Sequence, residues 1–126
     1  MEWQEAEDIK KDIQEIAHTL SFSHLNLGRI ICFRSYGSTS RAQARIWSFP
    51  RVWQLALKIP AAYVIEVISE RFDKLPKDEK KKVLIHELLH IPKNFSGALL
   101  AHRRKGRRIN YQVVEKIFRE YQLLKK

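Results

Sequence analysis

The segment His86-Glu87-Leu88-Leu89-His90 constrains this chain more than any other stretch of its sequence. Residues four positions apart lie on the same face of an α-helix, so the imidazoles of His86 and His90 can approach one another. This spacing lets both rings bind one tetrahedral zinc ion, and Glu87 can then reach a water molecule at the open position. The motif therefore predicts a helix that carries two zinc ligands, with Glu87 as the general base of a hydrolase.

The residues on either side of the motif favour such a helix. Pro76 is suited to a helix start, and Asp78 and Glu79 follow in the first turn, where the helix dipole favours acidic side chains. Pro92 disfavours helical geometry at the residue before it, so the helix should end soon after His90. The competing interpretation is an ordinary surface helix without a metal, but the motif begins in an apolar run, as a buried active-site helix requires.

A catalytic zinc site usually has three protein ligands and one water, so a third ligand must come from elsewhere. The candidates are His102, Glu115 and Glu120. Ser96 occupies the place of the third histidine in the metzincin pattern, so the chain does not match that class. His102 follows a stretch long enough to turn the chain back, whereas the pattern around Glu115 does not fix its direction. We therefore predict His102 as the third ligand, with Glu115 as the alternative.

Hydrophobic periodicity predicts an α+β fold around this helix. Residues 3 to 21 have the spacing of an amphipathic helix, and residues 51 to 57 indicate one or two helical turns. A last helix should begin near Asn110, which is a favourable N-cap residue. These helices would cover a small, mostly antiparallel sheet in a minimal zincin-like domain.

Three apolar runs predict the strands of that sheet. Residues 29–33 and 44–49 are interpreted as an antiparallel hairpin joined by turn residues. Residues 63–68 have the strongest strand pattern and lead directly to the motif helix. We expect this strand to flank the cleft and to offer its edge to an extended peptide.

Composition sets the broad class of the protein. The chain has 126 residues, 44% of them hydrophobic and 30% charged, which is typical of one soluble domain spanning residues 1–126. No run of eighteen apolar residues is present, so we expect neither a transmembrane helix nor a membrane partner. The acidic, polar N-terminus does not resemble a secretory signal. Cys32 is the sole cysteine and is predicted to be a buried strand residue, so a cytoplasmic location is expected.

The formal net charge of +10 is concentrated in two groups of basic residues. The first group should lie at the tip of the predicted hairpin, and the second follows His102. The two groups are Arg34, Arg41 and Arg45, and Arg103, Arg104, Lys105, Arg107 and Arg108. Together they predict a polyanion site, and nearby aromatic residues favour single-stranded nucleic acid. The alternative is that this charge serves only solubility.

The run from His86 to Pro92, with Gly97 and His102, resembles the motif of a family of small metallopeptidases found in archaea and phages. More distantly it is similar to the SprT and Spartan-type zinc proteases. Residues 34–47 and 63–67 resemble the upstream hairpin and strand of the first family.

This resemblance covers about residues 25 to 120. It implies a minimal zincin with His86, His90 and His102 on one zinc ion and Glu87 as general base. SprT-type proteases act on DNA-associated proteins, which agrees with the basic surface.

The resulting hypothesis is a zinc-dependent metallopeptidase. Hydrolysis of a peptide also needs a donor for the developing oxyanion, and Arg45, Tyr63 and Tyr111 are the candidates. The alternative hypothesis is a nucleic-acid-binding module with a structural or vestigial zinc site. Glu87 favours the enzyme, because a purely structural site has no use for an acid beside an open position.

Overall fold

The computed structural model describes residues 1–104 and 107–125, except for the side chains of residues 103–108. Within this part of the chain it shows an α+β fold with a mixed four-stranded sheet and five α-helices. The strands of the main sheet are β1 (Glu2–Glu5), β2 (Ile30–Tyr36), β3 (Ala44–Trp47) and β4 (Tyr63–Ile68). The helices are α1 (Glu7–Thr19), α2 (Arg51–Leu57), α3 (Ser69–Phe72), α4 (Lys77–Leu89) and α5 (Tyr111–Lys125).

The strand order of the main sheet is β1-β2-β4-β3, which differs from the predicted arrangement. The predicted hairpin is wrong, because β2 and β3 do not pair with each other. Instead β2 pairs parallel with β4, with Ile30 opposite Tyr63, and β3 pairs antiparallel with β4, with Ile46 opposite Ile65. The physical reason is that β4 is almost wholly buried, so its backbone N–H and C=O groups need hydrogen-bond partners on both edges, which β2 and β3 supply.

The N-terminal segment is also partly different from its prediction. Residues 2–5 form β1 rather than the first turn of a helix, and β1 pairs antiparallel with β2. The ring of Trp3 packs against those of Phe33 and Trp47 at 6.3 Å between centroids. The amide of Ala6 then donates to the carbonyl of Cys32 at 2.9 Å, so the helix begins only at Glu7. Pairing with the sheet therefore outweighs the helical pattern of this short segment.

The hydrophobic core lies between the sheet and helices α1, α4 and α5. It is built from apolar residues of both layers, among them Ile13 and Ile16 of α1, Leu84 and Leu88 of α4, and Ile65 of β4. Cys32 is buried in this core as predicted, and burial raises the pKa of its thiol to about 11. No helix in the described ranges is long and apolar enough to cross a membrane.

The predicted starts of α4 and α5 are confirmed. Pro76 precedes α4, and Asp78 and Glu79 lie in its first turn. Asn110 caps α5, because its side-chain oxygen accepts a hydrogen bond from the amide of Val113 at 3.0 Å. Two short strands, β5 (Arg103–Arg104) and β6 (Arg107–Arg108), pair antiparallel before this helix.

A charged cluster centred on Glu15 joins the three helices that cover the sheet. The ammonium of Lys81 in α4 lies 3.1 Å from one carboxylate oxygen of Glu15, and that of Lys125 in α5 lies 2.9 Å from the other. The hydroxyl of Tyr121 donates to the same carboxylate. Burial alone would raise the pKa of Glu15, but these hydrogen bonds lower it to about 2. The cluster therefore helps to set the position of α4 on the sheet.

Replacing Glu15 by glutamine should lower the free energy of unfolding by about 1–2 kcal/mol at neutral pH. Because the folded-state pKa lies below the ordinary value of 4.5, this stabilisation is complete above pH 4.5 and is lost as the pH falls towards 2. Urea unfolding of wild type and variant across this pH range measures the difference. Glu120→Gln is the control, because Glu120 is an exposed carboxylate on α5. An equal loss at pH 7 and pH 2 would contradict the assignment.

Candidate metal centre

Three histidines converge at the end of α4. His86 and His90 lie on successive turns of one helix face, and His102 reaches them from the loop that follows. One ring nitrogen from each residue can be chosen so that all three lie within 4.8 Å of one another. The Nε2 atoms of His86 and His102 are 3.0 Å apart, and the ring centroids of His90 and His102 are 4.5 Å apart. The group could hold a metal ion.

The loop that brings His102 back is closed by two hydrogen bonds between His90 and Leu100. The amide of Leu100 donates to the carbonyl of His90 at 2.7 Å, and Nδ1 of His90 lies 2.5 Å from the carbonyl oxygen of Leu100. A carbonyl can only accept, so Nδ1 of His90 carries the proton and Nε2 keeps its lone pair. This contact both closes the loop and leaves Nε2 of His90 available as a ligand for a metal ion.

The same loop is also held by hydrogen bonds to Tyr63, the first residue of β4. Its hydroxyl donates to the carbonyl of Ala98 at 2.7 Å and accepts from the amide of Gly97 at 2.8 Å. Tyr63 was a candidate for stabilising an oxyanion, but its hydroxyl is fully used in anchoring this loop and its side chain is buried. It is therefore a structural residue.

Gln54 of α2 is a second anchor, and sequence reasoning missed it. Its side-chain amide donates to the carbonyls of Ser96 and Phe49, both at 2.8 Å. The amide of Phe49 donates in turn to the carbonyl of Gly97 at 2.8 Å. The sequence does contain a sign of this role, because Gln54 is the single polar residue inside the otherwise apolar run Val52–Leu57. A polar residue in such a run usually has a buried hydrogen-bond partner.

The electrostatic environment favours neutral imidazoles. Burial, with the neighbouring rings of His90 and His102, lowers the pKa of His86 to about 4. Burial also lowers the pKa of His90, although its bond to Leu100 acts in the other direction. Neutral imidazole is the form that binds a metal ion. Glu87, half-buried beside these rings, has a pKa raised to about 7 by burial.

The histidines open into a cleft of about 800 Å³. Its floor is α4, one wall is β3, and the opposite wall is the first turns of α5. Ala44, Ile46, Val83, Tyr111 and Val114 are among the residues that line it. The cleft is thus mostly apolar around the polar cluster of three histidines, which is typical of a site for a peptide or small molecule.

The strand that borders the cleft is β3, not β4 as predicted. β4 lies inside the sheet with β2 and β3 on its two sides, so it has no edge to offer. The register of β3 is secured by the buried carboxylate of Glu66, which lies 2.7 Å from Nε of Arg45 and 3.0 Å from Nε1 of Trp47. Burial alone would raise the pKa of Glu66, but Arg45 holds it below its usual range.

Glu115, the alternative third ligand, does not join the histidine cluster. It lies on α5 with its carboxylate 2.8 Å from the ammonium of Lys82. Glu120 is exposed further along the same helix. Among the oxyanion candidates, Arg45 is engaged with Glu66, whereas Tyr111 is an exposed residue in the wall of the cleft.

The first predicted basic group is not assembled. Arg34 lies in β2, where its guanidinium pairs with Asp8 and Asp73, both at 3.0 Å. Arg45 is paired with Glu66, and Arg41 is exposed in the segment between β2 and β3. The prediction failed because acids distant in sequence neutralise two of the three arginines. The second group cannot be compared, because the side chains of residues 103–108 lie outside the described part of the chain.

Replacing His102 by alanine should weaken zinc binding by about a hundredfold or more, since loss of even an outer partner of a ligand costs tenfold to a hundredfold. Glu115→Ala should leave the affinity within about threefold, because its carboxylate is held by Lys82. Isothermal titration of both variants with zinc separates them. The reverse order of effects would make Glu115 the third ligand.

Replacing Gly97 by alanine should weaken zinc binding without removing a ligand. Gly97 has a φ of +93°, and a Cβ atom there would lie 2.3 Å from the carbonyl oxygen of Phe49. The loop must therefore shift, and the shift should displace His102. Gly28→Ala is the control, because a Cβ atom at Gly28 meets nothing closer than 3.6 Å. Equal zinc affinities for the two variants and wild type would show that this loop does not position the third histidine.

Comparison with known proteins gives one family. No curated protein and no solved structure matches the chain significantly. A family model described as "Putative phage metallopeptidase" matches residues 1–121, which include every element of the main sheet, the three histidines and most of α5. The match confirms the predicted resemblance, and the chain belongs to this family.

Proposed function

We propose that this protein is a zinc-dependent peptidase with a minimal zincin-like active site in one domain spanning residues 1–126. The observation that carries the proposal is the convergence of His86, His90 and His102 beside Glu87 at the floor of an open cleft. Membership of a metallopeptidase family supports peptide bonds as the substrate class.

The donor set fits zinc. Three neutral imidazoles with one remaining position are an established catalytic zinc environment, and the fixed Nδ1 proton of His90 leaves its Nε2 as donor. We therefore assign His86, His90 and His102 as the ligands. When bound, zinc would supply a Lewis acid that polarises the scissile carbonyl and acidifies water.

Glu87 is the proposed general base. It follows the first ligand on α4, and burial raises the pKa of its carboxyl to about 7, so that it can accept and release a proton near neutral pH. In this role it takes a proton from the attacking water and delivers it to the departing amine, so that one carboxylate serves both halves of the reaction. Tyr111 is the remaining candidate to donate a hydrogen bond to the oxyanion, since it lies exposed in the cleft wall.

The edge of β3 is the proposed binding site for the peptide backbone. β3 is the last strand of the main sheet and lines the cleft directly above α4. An extended peptide could add to this edge as a further strand, with its side chains alternating between the cleft and solvent. The floor from Glu79 to His90 runs for roughly 16 Å at the helical rise, long enough for about five extended residues. This length favours an endopeptidase.

Replacing Glu87 by glutamine should abolish peptide cleavage while leaving zinc content unchanged, because an amide cannot accept the proton of water. Loss of a general base typically lowers kcat by about a hundredfold or more. Cleavage of a quenched-fluorescent peptide library by zinc-loaded protein measures the effect.

Glu120→Gln is the matched control for that experiment. Glu120 is an exposed carboxylate on α5, outside the residues that line the cleft. It should retain activity close to that of wild type. Near-normal turnover by Glu87→Gln would remove Glu87 from the mechanism, and a fully zinc-loaded wild type that cleaves no peptide would contradict the proposed function.

A further inference from the structure

Helix α2 presents apolar side chains to solvent instead of burying them. Five residues in or directly after it are between 41% and 68% exposed, whereas the only buried residue of the helix is the polar Gln54. The exposed residues are Val52, Trp53, Leu55, Leu57 and Ile59. A contiguous apolar surface of this kind usually marks a site of interaction.

The orientation of α2 is fixed by hydrogen bonds, so this exposure is built into the fold. The side chain of Gln54 is held by the carbonyls of Phe49 and Ser96, which turns that side of the helix towards the protein. At 100° per residue, Val52 and Ala56 lie about 160° from Gln54, and Trp53 and Leu55 lie about 100° from it on either side, so these positions project away from the protein. Leu57 lies about 60° from Gln54 but is still 52% exposed at the end of the helix. The helix forms a convex apolar ridge that the described part of the chain does not cover.

The surroundings of the ridge are cationic. Arg51 and Lys58 lie exposed at its two ends. Arg29 lies beside the residues that follow, donating to the carbonyls of Pro60 at 2.7 Å and Ala61 at 3.3 Å. The segments around α2 and its anchoring loop, residues 43–62 and 92–98, contain no acidic residue. The occupant of the ridge should therefore combine an apolar interior with negative charge at its surface.

Although the absence of a long apolar run led us to expect no membrane partner, we propose that α2 docks on the surface of an anionic lipid membrane. Acyl chains would take up the aliphatic side chains, phosphate groups would face Arg51 and Lys58, and Trp53 would lie at the level of the headgroups. A second copy of the chain fits less well, because α2 packed on α2 brings cationic ends together. Nucleic acid fits less well too, because it has no apolar phase for valine and leucine side chains.

Co-sedimentation of the full chain with vesicles tests this docking. The protein should pellet with vesicles of equal parts phosphatidylcholine and phosphatidylglycerol and stay in solution with phosphatidylcholine alone. The double variant Leu55→Gln/Leu57→Gln should weaken binding by about tenfold or more, because both leucines would otherwise be buried among acyl chains. The zinc content of this variant should match that of wild type. A loss of vesicle binding can then not be attributed to a damaged metal centre.

Two control variants sharpen the measurement. Leu123→Gln/Leu124→Gln removes two equally exposed leucines from α5 and should leave binding unchanged. Arg51→Gln/Lys58→Asn should abolish the preference for phosphatidylglycerol, and asparagine suits the positive φ of Lys58. The proposal is overturned by absent binding to anionic vesicles, by equal losses in both leucine pairs, or by a wild-type dimer that Leu55→Gln/Leu57→Gln dissociates.

Discussion

The pair of hydrogen bonds between His90 and Leu100 is the contact on which the candidate site depends. Helix α4 can supply two histidines by its own periodicity, but the third must be carried back from beyond the helix end. His90 ends the helix, and its main chain and side chain both bind Leu100. His90 thus contributes a ring to the histidine cluster and also closes the loop that carries His102. A change in this loop should therefore change the arrangement of the three histidines.

The loop is in turn held by residues that take no part in the proposed reaction. Tyr63 supports it from the first residue of β4, and Gln54 supports it from α2. The Gly97 amide that donates to Tyr63 is buried, and leaving such a group unpaired costs about 1–3 kcal/mol. Strand β4 therefore supports the site in two ways, because it anchors the loop through Tyr63 and holds β3 in register through Glu66. The strand at the edge of the cleft and the loop that carries His102 are thus both positioned by β4.

The parts of this structure that depend on local pattern could be predicted from the sequence. Helix α4, the cap at Asn110, the strand at 63–68 and the short helix at 51–57 all have local signals in composition or spacing. The convergence of His102 with the motif could also be expected, because few other residues of suitable chemistry follow the helix.

Properties that depend on pairing across the fold could not be predicted. The strand at residues 2–5 forms because β2 offers it a partner, and β4 becomes central because it is buried on both faces. The pairing of Arg34 with Asp8 and Asp73 joins residues far apart in sequence. A charge pattern alone cannot show which basic residues are neutralised in this way, and the hydrogen-bonding role of Tyr63 is equally invisible before the loop is folded.

X-ray absorption at the zinc edge of the zinc-loaded full chain tests whether three histidines bind the metal. We expect about one zinc per chain, surrounded by nitrogen and oxygen at about 2.0–2.1 Å with the multiple scattering of three imidazoles. Zinc well below one per chain, only two imidazoles, or a sulfur neighbour at about 2.3 Å would contradict a site made of His86, His90 and His102.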